Sequence, residues 1–255
     1  MENTAPFCFT DFNQPFAHIE VPTEFNNPFN YEPHPLCILA SEQLQQHIQT
    51  QNVWKHNFGF EPNKEVEELK EIGKMFGVLV VQKQDGALGY LAAFSGKLAN
   101  ANHHPGFVPP VFDSLDEAGF LNQGMIALKV INDQVKELQA AGCKATNELL
   151  MLKQKRKAHS QALQHRLFTA YQFLNKHGQT QNPYEIFGKN PPAGAGECAA
   201  PKLLQYAYQH HLKPVAMAEF WWGSPPSSGS VSKIHGHFYA ACEDKCRGIL
   251  GWMMG

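Results

Sequence analysis

Residues 191–204 read PPAGAGECAAPKLL, and the rest of the chain can be interpreted around this stretch. Its glycines and prolines are typical of a loop whose backbone closely approaches another group. Pro201 fits the first turn of a helix, because the backbone N–H that proline lacks would be unpaired there. Cys198 then lies at a helix N-terminus, where the helix dipole favours the thiolate. We predict a chemical site at this helix start, containing Glu197 and Cys198.

Two more thiols follow about one helical turn apart, Cys242 and Cys246. Thiolates and imidazoles are the ligands that zinc takes in tetrahedral sites, and three protein ligands leave a fourth position for water. The sequence therefore predicts zinc or a related metal as a cofactor. The predicted ligands are Cys198, Cys242 and Cys246, with Glu197, His235 or His237 as the fourth.

Two alternatives to a metal site stay open. Free cysteines are commonly buried in packed interiors, so the three thiols can also be core residues. Cys198 can alternatively act as a nucleophile with a histidine base, although the sequence does not identify that histidine.

Composition limits the class of protein. The chain has 255 residues, of which 43% are hydrophobic and 17% charged, as expected of a folded protein. Its formal net charge of -2 argues against a DNA-binding protein but leaves room for a local basic patch. We find no signal peptide and no apolar stretch long enough to span a membrane. We therefore predict a cytoplasmic protein with reduced cysteines and no membrane partner.

The clearest strand signal is a hairpin. Residues 77–81 and 87–94 are apolar runs on either side of Asp85-Gly86, a strong hairpin turn signal, and both faces of such strands are expected to be covered. Residues 215–222 predict a further buried strand, and helices are predicted over 36–53 and 63–74. Residues 1–35, rich in Phe and Pro, predict an extended arm packed on the body. Together, these elements predict an α/β fold with a three-layer body.

A long helical segment interrupts this body between residues 121 and 176. Apolar residues follow a seven-residue repeat, which predicts a coiled-coil-like helical hairpin. The bend falls either at Gly142 or near Lys153. The repeat consists of Leu128, Ile131, Val135, Leu138, Ala145, Leu149, Leu152 and Leu163. We accordingly divide the chain into a body half at 1–119, a helical arm at 120–178 and a second body half at 179–255.

Five cations make the arm locally basic: Lys153, Lys155, Arg156, Lys157 and Arg166. A solvated helix face is one interpretation of this cluster. The other is contact with RNA phosphates, for which clustered Lys and Arg suffice.

The order of helix, hairpin, Cys198 helix, strand and Cys242 helix resembles the cytidine-deaminase-like fold. The resemblance implies zinc held across a strand by cysteines at two helix starts, with a glutamate two residues after the first ligand moving protons. That position is Ala200 here, and the cysteine pair is one residue wider than in the family. A zinc-dependent deaminase-like domain is therefore the alternative function.

Longer strings resemble the N-terminal region of a long subgroup of RluA-type pseudouridine synthases. They cover residues 31–37, 73–80, 89–97, 191–204, 218–223 and 242–251. The resemblance implies a parent protein that isomerises uridine in tRNA or rRNA, with the catalytic aspartate in a synthase domain that follows this region. That aspartate belongs to a His-Arg-Leu-Asp motif, whereas His165-Arg166-Leu167 is followed by Phe168. This chain is accordingly expected to be a non-catalytic, RNA-engaging accessory region, with its own C-terminal synthase domain as a partner.

Overall fold

A computed structural model describes residues 8–51, 54, 56–60, 73–141, 146–226 and 232–255. Within these ranges the chain forms six helices, a five-stranded antiparallel sheet and a separate two-stranded sheet. This confirms the predicted α/β class. The elements, in chain order, are β1 (Thr10–Asp11), α1 (Pro35–Thr50), β2 (Lys74–Gln82), β3 (Leu88–Phe94), α2 (Phe120–Ala140), α3 (Asn147–Ala170), β4 (Phe173–Leu174), β5 (Thr180–Gln181), α4 (Pro183–Phe187), α5 (Ala199–Gln209), β6 (Lys213–Trp222), β7 (Phe238–Tyr239) and α6 (Glu243–Met254).

The large sheet has the strand order β1-β3-β2-β6-β7. Its central strand β2 pairs with both β3 and β6, so that Val78 lies between Ala92 and Ala218. The predicted hairpin is confirmed, and its turn places Gly86 at a φ of +90°, which glycine adopts without strain. Both edge strands are only two residues long.

Side chains that alternate along the sheet build two buried clusters, one on each face. Val78 and Ala218 point toward α1, whereas Leu79 and Met217 point toward α5 and α6. The body therefore has helices on both sides of one sheet, as the three-layer prediction required. Because both faces are covered, the strands are apolar nearly throughout, as in other sheets buried on both sides.

Of the extended arm predicted over 1–35, residues 8–34 pack on this body as predicted and also cover a strand edge, while residues 1–7 lie outside the described part. Phe9 packs against one buried cluster and Phe12 against the other. Asn26 exchanges two hydrogen bonds with the backbone of Met217, at 2.7 and 3.0 Å. The Tyr31 hydroxyl accepts from the backbone N–H of Glu219 at 3.0 Å. These two side chains satisfy backbone hydrogen-bonding groups of Met217 and Glu219 at the outer edge of β6.

Two predicted helices differ from the structure at their ends. Helix α1 ends at Thr50, with Gln51 already extended, and Val53 lies outside the described residues. Of the helix predicted over 63–74, residues 63–72 lie outside the described part. Its predicted end at Lys74 is wrong, because Lys74 pairs with Trp222 as the first residue of β2.

The helical arm is an antiparallel pair, α2 and α3. The ring Nε2 of His159 lies 2.9 Å from the carbonyl oxygen of Gly124, linking the two helices. Ile131, Val135 and Leu149 of the predicted repeat are buried. The chain reverses between α2 and α3, so a bend near Lys153 is wrong, while Gly142 lies outside the described residues. In the described part of the chain, no helix is long and apolar enough to cross a membrane.

Candidate functional site

Helices α5 and α6 begin close together on one face of the sheet. Cys198 is the N-cap residue of α5 and Cys242 that of α6, each with an extended backbone conformation. The two helices share one buried cluster with β2 and β6. The sequence prediction that both helix starts carry cysteine therefore holds in the structure.

The thiols of Cys198 and Cys246 lie close enough to interact. This contact, together with burial, raises the pKa of Cys246, whose side chain is completely buried. Cys242 is exposed, but it lies near enough to add to the same upward shift. No disulfide links the described cysteines. The structure thus brings two of the three predicted cysteines together and leaves the third beside them.

A buried carboxyl that the sequence analysis missed lies in the same place. Glu219, in the middle of β6, is only 4% exposed and accepts a hydrogen bond from the backbone N–H of Ala200 in the first turn of α5. Burial raises the pKa of Glu219 to about 7, although the Ala200 hydrogen bond and the charge of Lys233 oppose the shift. Glu219 also contributes to the raised pKa of Cys246. We call Cys198, Cys246 and Glu219 the thiol–carboxyl site.

A glycine on the neighbouring strand makes room for this site. Gly77 of β2 pairs directly with Glu219. A Cβ added at Gly77 would lie 3.0 Å from the Cβ of Ala199 and 3.5 Å from the Cγ of Glu219. The first turn of α5 can therefore approach the sheet closely enough for Ala200 to reach the carboxyl.

The other predicted acid, Glu197, has a different set of partners. Its carboxylate accepts a hydrogen bond from the hydroxyl of Tyr171, and its backbone oxygen accepts from Gly96 at 2.7 Å. Lys202 lies nearby and donates to the backbone oxygens of Phe94 and Gly96, at 3.0 and 2.8 Å. Burial lowers the pKa of Lys202 to about 8, while the charge of Glu197 opposes that shift. Glu197 thus helps to fasten α5 to the end of β3.

The fit of a metal can be judged from these donors. Two thiols in contact are a suitable start for a zinc site. Of the predicted fourth ligands, Glu197 is bound to Tyr171, and His235 accepts from the N–H of Gly223 at 3.1 Å through Nδ1. Among the residues that the structure describes, no group of three His, Cys, Asp or Glu side chains is arranged to hold a metal ion. Zinc therefore stays a prediction.

The second candidate site is a groove between α2 and α3. Three of the five predicted RNA-binding cations line it: Lys153, Arg156 and Lys157. Its volume is about 530 Å³, and its other lining residues are uncharged: Leu128, Asn132, Ser160 and Gln161. The guanidinium of Arg156 reaches Asn132 on the facing helix at 3.4 Å. We call this surface the basic groove.

The remaining two cations lie elsewhere on the arm. Lys155 lines the opposite side of the hairpin, in a hollow that also contains Glu137 and Glu148. Arg166 lies nearer the body, with its guanidinium carbon 4.1 Å from the ring centre of Phe120. Cations that lie near one another in the sequence therefore form one cluster of three and two separate charges in the structure.

Among the described residues, none of these five cations forms an ion pair with an acid. The ion pairs seen there include His103 with Asp113 and Arg247 with Glu243, and neither involves the arm. The charges of the basic groove are thus not neutralised within the described part of the molecule.

Comparisons with known proteins do not extend these observations. No protein-family model, no curated protein and no solved structure matched the chain.

Proposed function

We propose that this chain is the RNA-engaging accessory region of an RluA-type pseudouridine synthase, as its sequence resemblance implies. The observation that carries the proposal is the basic groove, in which Lys153, Arg156 and Lys157 converge with no acidic side chain among the lining residues. Lys and Arg in such a cluster contact RNA phosphates and hold the strand without reading its sequence. Selection of the uridine and its isomerisation would then belong to the synthase domain.

The arm has the right charge for this role although the whole chain does not. Helix α3 contains five cations and one acid, Glu148, whereas the formal net charge of the chain is -2. A local positive surface on an acidic molecule attracts RNA to one place and repels it elsewhere. We therefore expect one preferred RNA contact surface on the arm.

The test is the salt dependence of binding to a tRNA transcript and a ribosomal RNA hairpin. Replacing Lys153, Arg156 and Lys157 together with Ala should weaken binding and reduce the slope of log affinity against log salt by about 2, because three phosphate contacts are lost. Lys155→Ala is the matched control on the other side of the arm, and it should change the slope by less than about 1. Unchanged RNA affinity in the triple variant, with its fold intact by circular dichroism, would contradict the proposal.

A second candidate function is a zinc-dependent, deaminase-like activity, favoured by the contact between Cys198 and Cys246. A bound zinc would lower the pKa of a coordinated water and so supply a nucleophile near neutral pH. In this chain Glu219, with a pKa of about 7, can hold and release a proton beside the thiols, the task that the glutamate missing at position 200 has in the family.

Metal content tests this candidate. The purified chain should contain close to one zinc per molecule by elemental analysis, and Cys198→Ala should lose most of it because only two of the three predicted thiolate ligands would remain. The control is Cys37→Ala, which removes a buried thiol from α1 on the other face of the sheet. Ammonia release from cytidine should follow the metal content. Zinc absent from the unaltered chain, or retained in Cys198→Ala, would rule out this site.

A further inference from the structure

The helical arm carries much of the apolar surface that the described residues expose. Of the nine large apolar side chains exposed there, five lie on α2 or α3: Met125, Ile126, Val130, Leu150 and Met151. Met151 is the most exposed of them, at 69%. Single apolar residues are normal on a protein surface, whereas apolar residues grouped in a hollow indicate an interaction surface. The surroundings of Met151 decide which case applies.

Met151 lines a hollow of about 730 Å³ between the end of α2 and the start of α3. Leu138 and Leu152 supply further apolar lining. The charged side chains of the hollow are Glu137, Glu148 and Lys155. None of these residues lines the basic groove, which lies on the other side of the hairpin. A partner can therefore fill the hollow while the basic groove stays open.

The charges of the hollow are arranged symmetrically along α3. Glu148 and Lys155 are seven residues apart, which is about two helical turns, so they lie on one side of the helix. Met151 and Leu152 lie midway between them. When two α3 helices pack antiparallel about this midpoint, Glu148 of each copy lies opposite Lys155 of the other. The surface is thus complementary to itself, as a two-fold symmetric interface requires.

Both charges are available for such a contact. Among the residues that the structure describes, neither Glu148 nor Lys155 forms an ion pair or a side-chain hydrogen bond. Exposed ion pairs contribute little to binding free energy, so burial of Met151 and its apolar neighbours would provide most of it. The two ion pairs would instead determine the orientation of the partner, because a parallel arrangement would not bring opposite charges together.

We propose that the hollow binds the same surface of a second copy of this chain, in a two-fold dimer whose α3 helices pack antiparallel about Met151 and Leu152. The contact involves only the end of the arm where α2 and α3 are connected. It is therefore smaller than a standard protein interface, and we expect a dissociation constant in the micromolar range. The dimer goes beyond the proposed RNA contact and does not depend on it.

The test is sedimentation equilibrium of the full chain, without RNA, from about 1 to about 200 µM. The average mass should rise from 28.6 kDa toward twice that value. Met151→Glu adds an acid beside Glu148 and should weaken the dimer about tenfold or more. Leu150→Glu is the matched control, because Leu150 is also exposed but does not line the hollow, and it should leave the dimer unchanged. Circular dichroism checks the fold of both variants.

Charge reversal tests the antiparallel orientation. Lys155→Glu should weaken the dimer about three- to tenfold, because it places like charges opposite each other twice, and Glu148→Lys should do the same. The double variant should restore dimerisation, because opposite charges meet again. A chain that stays monomeric at every concentration would overturn the proposal. Equal effects of Met151→Glu and Leu150→Glu, or a double variant that dimerises no better than the single ones, would also overturn it.

Discussion

At the scale of single residues, Glu219 is the least expected feature of the molecule. It lies on the central part of β6 with its carboxyl under the first turn of α5, and nearly all of its surface is buried. Burial disfavours the charged form, and the N–H of Ala200 and the charge of Lys233 compensate only in part. A carboxyl in this state carries its proton in the folded protein at pH values where it would be ionised in the unfolded chain.

This raised pKa predicts how stability depends on pH. Between pH 4.5 and about 7 the folded state binds the proton of Glu219 more tightly than the unfolded state does. The contribution of Glu219 to folding stability is therefore greatest below pH 4.5 and is lost as the pH rises through 7. Because of this group, the unaltered chain should lose on the order of 3 kcal/mol of unfolding free energy between pH 4.5 and 8. The Glu219→Gln variant should not show that loss. The measurement is urea unfolding across this range, with the exposed Glu117→Gln as control. Parallel stability curves for Glu219→Gln and the unaltered chain would contradict the assignment.

The sequence could not have identified Glu219 as part of the site. Its neighbours Ala218 and Phe220 predict a buried strand, and a single acid in such a run is usually explained by a partner that the sequence does not show. That partner is the backbone of α5, which comes close only through tertiary packing. The cysteines were easier to predict from the sequence, because a cysteine at a helix start is a local pattern. The contact between Cys198 and Cys246 again depended on how the two helices pack.

At the scale of elements, the position of α5 depends on the glycine beneath it. Ala199 and Leu203 of α5 pack over Gly77, and an added Cβ would lie 3.0 and 3.1 Å from them. Such distances are tighter than ordinary packing, so either the helix or the strand would have to shift. The first turn of α5 is also the part that holds Cys198 and reaches Glu219. The glycine therefore links the packing of two elements to the geometry of the site.

Gly77→Ala should accordingly destabilise the protein by about 1–3 kcal/mol, through overpacking between β2 and α5. Gly251→Ala is the matched control, because Gly251 lies in α6 with no atom within 4 Å of its added Cβ. Replacing a helical glycine with alanine should stabilise the protein by up to about 1 kcal/mol. Both changes can be measured by denaturant unfolding. Equal effects of the two substitutions would mean that α5 can move away from the sheet at little cost.

Local patterns predicted most of the regular elements. The Asp85-Gly86 turn and its apolar flanks predicted β2 and β3, and the seven-residue repeat predicted the arm. The error at Lys74 has a tertiary cause, because pairing with Trp222 extends β2 beyond the apolar run that marked it. Likewise, the helical pattern was expected to continue to residue 176, but α3 ends at Ala170 and residues 173–174 pair with β5 instead.

At the scale of the whole molecule, the candidate functions lie in two separate places. The thiol–carboxyl site is buried on the α5 and α6 side of the sheet, and the basic groove lies on the arm. The sequence predicted the arm from its seven-residue repeat and placed cysteines at two helix starts. It could not predict which cations share a groove, because that depends on how α2 and α3 pack against each other.

The cover along the outer edge of β6 has a consequence for self-association. An exposed strand edge offers unpaired N–H and carbonyl groups to another chain and can begin aggregation. Here Asn26 and Tyr31 occupy such groups with side chains, and the two-residue strand β7 pairs with Glu219 and Phe220. A side chain that hydrogen-bonds to these backbone groups ends the strand pairing and exposes no new strand edge. We therefore expect the segment before α1 to prevent pairing with another chain along residues 217–220 of β6.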